Sequence, residues 1–151
     1  EDQEIYHVLD SLSAHRYFEA YQHILDIGTG AGFPAVPLAV LYPNKFFYLV
    51  ESNQKKVAYL RHLVVQLGLK NVKIYPNRIE MQALPDPRIN VITARALADP
   101  QEIMRWTKHM QIEDYVLYVG PSCAAVNATH PQEVLVPYST KKHFILHLTQ
   151  Q

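Results

Sequence analysis

Residues 24–33 read Ile-Leu-Asp-Ile-Gly-Thr-Gly-Ala-Gly-Phe, a short apolar run that leads directly into three glycines at alternate positions. The apolar run is typical of a buried strand. Glycines at this spacing let the backbone turn sharply and approach a ligand closely. Pro34 and the apolar residues 35–41 predict a helix directly after the loop. The sequence therefore predicts a strand, a ligand-binding loop and a helix in direct succession.

The same alternation continues along the chain. Further strands are predicted at 46–50, 72–75, 89–93 and 115–119, helices at 53–67 and 100–110, and an amphipathic helix over 5–18. Strand-like runs at 134–138 and 143–148 flank residues 139–142 and predict a closing antiparallel hairpin. This order predicts an α/β Rossmann-like domain, with a mostly parallel seven-stranded sheet and helices on both faces. We expect residues 1–151 to form this single domain.

Composition limits the classes of function. The net charge is zero with histidines neutral, which argues against a large RNA-binding surface but permits a local basic patch. A single cysteine, Cys123, excludes an internal disulfide and suggests a reducing compartment. No apolar run approaches the roughly 20 residues of a membrane span, and the acidic start is unlike a signal peptide. We expect a cytoplasmic monomer with no membrane partner.

Polar and glycine residues follow the ends of the predicted parallel strands, where ligands bind in such sheets. They are Gly28, Glu51, Asn77, Arg78, Arg95 and Gly120. Glu51 lies about 20 residues after the glycine loop, where a carboxylate can accept both ribose hydroxyls of an adenosine; it could instead be a solvated acid at a helix N-terminus. Phe33 stands where the dinucleotide fingerprint needs glycine or alanine. The loop therefore favours S-adenosylmethionine over NAD, and an NAD-linked oxidoreductase is the weaker alternative.

These motifs, with several others, resemble the RsmG (GidB) family of class I methyltransferases, which methylate guanine N7 in bacterial small-subunit (16S) ribosomal RNA. The matching motifs run in order over nearly the whole chain. They are residues 24–34, Pro37-Leu38-Ala39, Leu49-Val50-Glu51-Ser52, His7-x-Leu9-Asp10-Ser11, Lys55-Lys56 with Leu60-Arg61, Asn77-Arg78-x-Glu80, Arg95-Ala96 and Val136-Pro137.

The resemblance implies S-adenosylmethionine as cofactor and small-subunit ribosomal RNA, or the small subunit itself, as partner. The cofactor-binding residues that it implies are Asp26, Gly28, Thr29, Gly30, Gly32, Phe33, Glu51, Ser52, Arg78, Ile79, Glu80 and Arg95. Guanine N7 carries a free lone pair, so no general base is needed and alignment would provide the rate. Arginines can hold the base and manage developing charge, which makes Arg78 and Arg95 the catalytic candidates.

Two of these assignments have plain alternatives. Arg95 could simply pair with an acid on a neighbouring loop. Lys55, Lys56 and Arg61 are predicted to contact RNA, but basic residues on an exposed helix face are often only solvated.

The sequence departs from the family pattern in two places. The family carries Leu-Lys-Gly at the end of strand five, where this chain has Tyr118-Val119-Gly120. Family members also begin with an additional helical segment, and this chain starts near its end. Either difference raises the alternative of a catalytically silent module that binds S-adenosylmethionine without transferring the methyl group.

No metal site is predicted. The eight histidines are scattered, and His143 and His147 lie four residues apart in a predicted strand with no further ligand nearby. Cys123 lacks a histidine partner and is not predicted to be a nucleophile.

Overall fold

The computed structural model describes residues 2–122 and 131–150. These residues form a seven-stranded sheet in the order β3-β2-β1-β4-β5-β7-β6, with helices on both faces. The strands are β1 His23–Ile27, β2 Phe46–Val50, β3 Val72–Tyr75, β4 Val91–Arg95, β5 Asp114–Val119, β6 Gln132–Val134 and β7 His143–Thr149. The helices are α1 Asp2–Ser13, α2 Ala35–Leu41, α3 Gln54–Gln66 and α4 Pro100–Thr107. The predicted fold class is confirmed.

The first five strands run parallel to one another, and β7 pairs antiparallel with both β5 and β6. Successive side chains of each strand enter opposite core layers, because side chains alternate across a sheet. In β1, for example, Ile24 packs in the layer beneath α2 and α3, whereas Leu25 and Ile27 pack in the layer beneath α4. Each strand of the sheet centre is therefore buried on both faces, as its continuous apolar run predicts.

Local signals set several boundaries. The helix predicted to begin after Ser52 or Asn53 is capped by Asn53, whose side-chain oxygen accepts a hydrogen bond from the backbone N–H of Lys56 at 3.1 Å. Gly68, with a φ of 63°, follows the end of this helix. The predicted bounds of α2, β2 and β3 match the structure.

Two strands lie at different residues from those predicted. The strand predicted at 89–93 is β4, Val91–Arg95, because the backbone N–H of Ile89 donates to Asp86 and closes a turn before the ladder begins. The hairpin strand predicted at 134–138 is β6, Gln132–Val134. The residues after it turn instead, since the backbone N–H of Ser139 donates to Val136 and Tyr138 has a φ of 63°.

The helix predicted over 5–18 ends earlier than expected. α1 stops at Ser13, and residues 15–18 form a 3-10 helix in which the N–H of Tyr17 donates to Ala14 at 3.0 Å. Ile5 and Val8, on the predicted apolar stripe, are exposed, and Leu12 is partly buried in the core layer beneath α2. Only the second half of the stripe therefore packs against the domain.

Candidate functional site

The carboxyl ends of β1 and β2, together with the segments after β3 and β4, surround a cavity of about 320 Å³, here called the Glu51 cavity. It is lined by these predicted site residues: Gly28, Glu51, Ser52, Lys56, Arg78, Ile79 and Glu80. Leu97 and Trp106 line it too, although nothing in the sequence singles them out. Trp106 lies in α4. The apolar periodicity of that helix does not show which loops its side chains will contact.

The glycine loop wraps the end of β1. The backbone N–H of Gly28 donates to the carbonyl of Val50 at 2.9 Å, so the pairing of β1 with β2 continues into the start of the loop. Gly28, Gly30 and Gly32 all have positive φ, at 59°, 60° and 98°. A Cβ on Gly28 would lie 2.4 Å from Leu97 Cδ1, so the loop and the segment after β4 approach closely only because the side chain is absent.

Glu51 is 8% exposed and faces the glycine loop. One carboxylate oxygen accepts from the backbone N–H of Gly30 at 2.9 Å, and the other accepts from the N–H of Asn53 at 2.8 Å. A carboxylate offers about four acceptor positions, so each oxygen retains capacity for a further donor. The carboxylate is thus held in one orientation with free lone pairs, which suits a pair of ribose hydroxyls.

Asp26 lies fully buried at the end of β1, beneath the loop. Its Oδ2 accepts from the Thr29 hydroxyl at 2.7 Å, while Oδ1 has no hydrogen-bond partner among the described residues. Burial raises the pKa of Asp26 from 3.8 to about 8, against the opposing effects of the Thr29 hydrogen bond and the Arg95 charge. Burial of this carboxyl thus favours its protonated form in the folded protein.

The raised pKa of Asp26 predicts a pH-dependent stability. Between the ordinary and the raised pKa the folded protein binds one more proton than the unfolded chain, so this group's contribution to the free energy of unfolding falls as pH rises from about 4 to about 8. Asp26→Asn removes this contribution. As pH rises through that window, we expect the free energy of unfolding of the variant to increase relative to that of the wild type by up to about 1.4 kcal/mol per pH unit.

Urea unfolding of both proteins across this pH range measures the difference. Asp2→Asn, an exposed carboxylate in α1, is the control and should track the wild type. Parallel pH profiles for the wild type and Asp26→Asn would show that Asp26 is ionised when folded.

Arg95, predicted to be both cofactor-binding and catalytic, lies in a different cavity. Ala96, with a φ of 50°, turns the chain so that Arg95 and Leu97 line separate spaces. Arg95 lines a cavity of about 720 Å³, here called the Asp10 cavity, with residues of α1 and of the loop before β7. Its guanidinium lies 5.1 Å from the centre of the Phe33 ring and donates to Asp10 Oδ2 at 3.1 Å. The alternative of an acid pairing with Arg95 therefore holds, but the acid belongs to α1 rather than to a loop.

The predicted RNA-contacting residues are exposed on α3. Lys55 and Lys56 lie in its first turn, beside the Glu51 cavity, and Arg61 follows more than a turn later. Val119, the residue at the family's lysine position, lines a further cavity of about 400 Å³ that adjoins the Asp10 cavity. Lys141 and Lys142 line the same space, so the loop before β7 brings cations to the region that lacks one at position 119.

The structure adds two findings on metals and membranes. Among residues 2–122 and 131–150, no three histidine, cysteine, aspartate or glutamate side chains come together as metal ligands would. No helix in the same ranges has the length and apolar character needed to cross a bilayer. Cys123 lies outside the described residues.

Solved structures share this fold. Magnesium protoporphyrin IX methyltransferase from Synechocystis PCC 6803, with bound SAM, superposes with a TM-score of 0.72 at 12% identity, covering 99% of this chain and 82% of that one. TrmK from M. capricolum, in complex with S-adenosylhomocysteine, superposes with a TM-score of 0.71 at 15% identity. The match covers 93% of this chain and 67% of that one. At these identities the likeness establishes the class I methyltransferase fold.

Curated sequence relatives have higher identity to this chain than these solved structures do. Ribosomal RNA small subunit methyltransferase G of Neisseria meningitidis serogroup C is 39% identical over 128 residues, which cover 85% of this chain and 58% of that protein. The protein of the same name from Dichelobacter nodosus is 44% identical over 107 residues, which cover 71% of this chain and 50% of that protein. This chain thus spans little more than half the length of these relatives. The model of the GidB family, rRNA small subunit methyltransferase G, matches residues 2–150. The chain belongs to this family.

Proposed function

We propose that this protein binds S-adenosylmethionine and transfers its methyl group to N7 of a guanine in bacterial small-subunit ribosomal RNA. The observation that carries the proposal is the family match over residues 2–150, a range that contains both the Glu51 cavity and the Asp10 cavity. The same match leaves an NAD-linked oxidoreductase without support. Ribosomal RNA as substrate implies a cytoplasmic protein, and we retain the proposal of a single domain acting as a monomer.

The residues of the Glu51 cavity fit S-adenosylmethionine. The oriented carboxylate of Glu51 matches a ribose diol, and Ile79 and Trp106 offer apolar surface for a flat adenine ring. Gly28, which has no side chain, and the side chain of Leu97 lie close together at the wall of this cavity, where the cofactor's amino-acid tail is proposed to bind. The further residues proposed to hold the cofactor are Asp26, Thr29, Gly30, Gly32 and Phe33 of the loop region, and Ser52, Arg78 and Glu80 around the cavity.

The chain's own residues orient the reactants. When bound, S-adenosylmethionine supplies an activated methyl group on a sulfonium sulfur. Transfer to guanine N7 would need no general base from this chain, because N7 carries a free lone pair and loses no proton. Alignment and charge therefore decide the rate. We propose that Arg78, which lines the Glu51 cavity, and Arg95, which lines the Asp10 cavity, would hold the reactants in place during the transfer.

Basic residues are proposed to guide the RNA. Lys55, Lys56 and Arg61 present three exposed cations on α3, and phosphate contacts of this kind position an RNA without reading its bases. Lys141 and Lys142 add cations to the cavity that Val119 lines. These patches are local, which is compatible with the zero net charge.

The second candidate is a module that binds S-adenosylmethionine without methyl transfer. Val119 in place of a lysine favours it, whereas Lys141 and Lys142 beside Val119 favour transfer. Labelled S-adenosylmethionine, incubated with small ribosomal subunits that lack the modification, separates the two. We expect label at guanine N7. Absence of label, with cofactor binding confirmed in the same preparation, would support the silent module, and gain of activity in Val119→Lys would identify the missing cation as the cause.

A further inference from the structure

The Asp10 cavity holds a carboxylate whose position the methyl-transfer chemistry does not explain. Resting on the function proposed above, we propose that Asp10 binds the Watson–Crick edge of the methyl-accepting guanine, and that His143 and Ser139 hold Asp10 in place. Asp10 would then determine the base specificity of the reaction.

The cavity has the composition of a base-binding site. Flat rings form part of its surroundings, since the His7 ring lies 5.3 Å from that of Phe33, on which the Arg95 guanidinium also rests. Aromatic rings and guanidinium planes are the surfaces on which single-stranded RNA bases stack. Among the described residues that line the cavity, Asp10 is the one carboxylate.

The Asp10 carboxylate is held by two neighbouring side chains but can accept further hydrogen bonds. Its Oδ2 accepts from Arg95 Nη1 at 3.1 Å, and its Oδ1 lies 3.0 Å from His143 Nδ1. Its side chain remains 15% exposed. A carboxylate has about four acceptor positions, and the described residues fill two of those of Asp10, which leaves two for a ligand.

Guanine matches this remaining capacity. Its N1–H and N2–H2 groups are adjacent donors on the Watson–Crick edge, and a carboxylate accepts from such a pair with both oxygens. Adenine presents an acceptor at N1 and no amine at C2, so it leaves the carboxylate unsatisfied. Binding by the Watson–Crick edge also leaves N7 free, because N7 lies on the opposite side of the purine.

His143 and Ser139 are positioning residues in this arrangement. His143 Nε2 lies 2.7 Å from Ser139 Oγ, which in turn accepts from the backbone N–H of Lys141 at 3.2 Å. The imidazole is thus bound at both nitrogens, which fixes the oxygen of Asp10 that it touches. This chain of contacts joins α1 to the loop before β7.

The charge of Asp10 suits methyl transfer to N7. As the N–C bond forms and the S–C bond breaks, positive charge passes from sulfur to the purine ring, while the cation of Arg95 lies nearby. The Asp10 carboxylate compensates Arg95 and favours a cationic base. Asp10→Asn should therefore weaken both recognition and transfer without affecting the Glu51 cavity.

Nucleotide binding tests the proposal independently of methyl transfer. The full chain, saturated with S-adenosylhomocysteine, is titrated by NMR with guanosine 5′-monophosphate and with inosine 5′-monophosphate, which lacks only the N2 amine. We expect the wild type to prefer the guanine nucleotide by about tenfold, as for one hydrogen bond to a charged group, and Asp10→Asn to lose the preference. His143→Gln should reduce it, whereas Glu102→Gln, which removes a carboxylate from an exposed ion pair with Arg105, should keep it.

The outcomes separate the two proposals. S-adenosylhomocysteine affinity and thermal unfolding establish that each variant is folded, and His143→Gln gives a second test if Asp10→Asn does not fold. Equal binding of both nucleotides by the wild type, or a preference retained in Asp10→Asn, overturns the role of Asp10. If the wild type methylates guanine N7 and Asp10→Asn does so undiminished, the role of Asp10 fails while the proposed function stands. If the wild type prefers guanine but transfers no methyl group, only the proposed function fails.

Discussion

Glu51→Gln is expected to lower the affinity for S-adenosylhomocysteine about 100-fold, the loss that follows from weakening two hydrogen bonds to a charged acceptor. The substitution keeps the size of the side chain but replaces one oxygen with an amide that cannot accept. That oxygen serves either the backbone N–H of Gly30 or that of Asn53, so one of these two hydrogen bonds is lost as well. Isothermal titration calorimetry measures the change.

The matched control for this variant is Glu113→Gln, the same replacement at an exposed residue before β5. It should bind S-adenosylhomocysteine as the wild type does. We expect Glu51→Gln to lower the free energy of unfolding by only about 1 kcal/mol, so the folded protein remains available for titration. Unchanged affinity in folded Glu51→Gln would remove Glu51 from the cofactor site.

Gly32→Ala should destabilise the domain by about 3 kcal/mol, the sum of backbone strain and overpacking. Gly32 has a φ of 98°, and a Cβ there would lie 2.6 Å from Val36 Cγ2 and 3.1 Å from Leu60 Cδ2. Both neighbours are buried in the core layer beneath α2 and α3, so neither can move aside easily. Chemical denaturation measures the loss, and cofactor affinity should fall as well because the loop must shift.

Gly68→Ala separates strain from crowding. Gly68 has a φ of 63°, and a Cβ there would meet nothing within 4 Å. We expect this control to cost only about 1 kcal/mol, the penalty of a left-handed alanine. If the two variants lose equal stability, crowding at Gly32 contributes nothing and the loop is looser than its contacts indicate.

Sequence reasoning succeeded where the determinants are local. The bounds of α2, β2 and β3 were predicted from apolar runs and their flanking residues, and the cap at Asn53 came from its side-chain chemistry. The first strand of the hairpin was misplaced because the apolar run 134–136 resembles a strand, while the turn at 136–139 depends on the conformation of Tyr138.

The residues of the candidate site that follow strand ends could be predicted, whereas those brought in by tertiary packing could not. Gly28, Glu51 and Arg78 follow strand ends, so the topology alone brings them to one edge of the sheet. Trp106 and Leu97 line the same cavity through helix packing and a left-handed residue, neither of which leaves a periodic signal. The contact between Asp10 and His143 had no signal either, since it joins residues 133 positions apart.

That sequence separation has a kinetic consequence for the two cavities. The Glu51 cavity is built from residues 28–106, whereas the Asp10 cavity needs residues 3–10 and 139–143 to meet. Closing so long a loop loses chain entropy before any contact compensates for it. We therefore expect the residues around the Glu51 cavity to acquire hydrogen-exchange protection first during refolding. The contacts around the Asp10 cavity should form last and open most readily in the native protein.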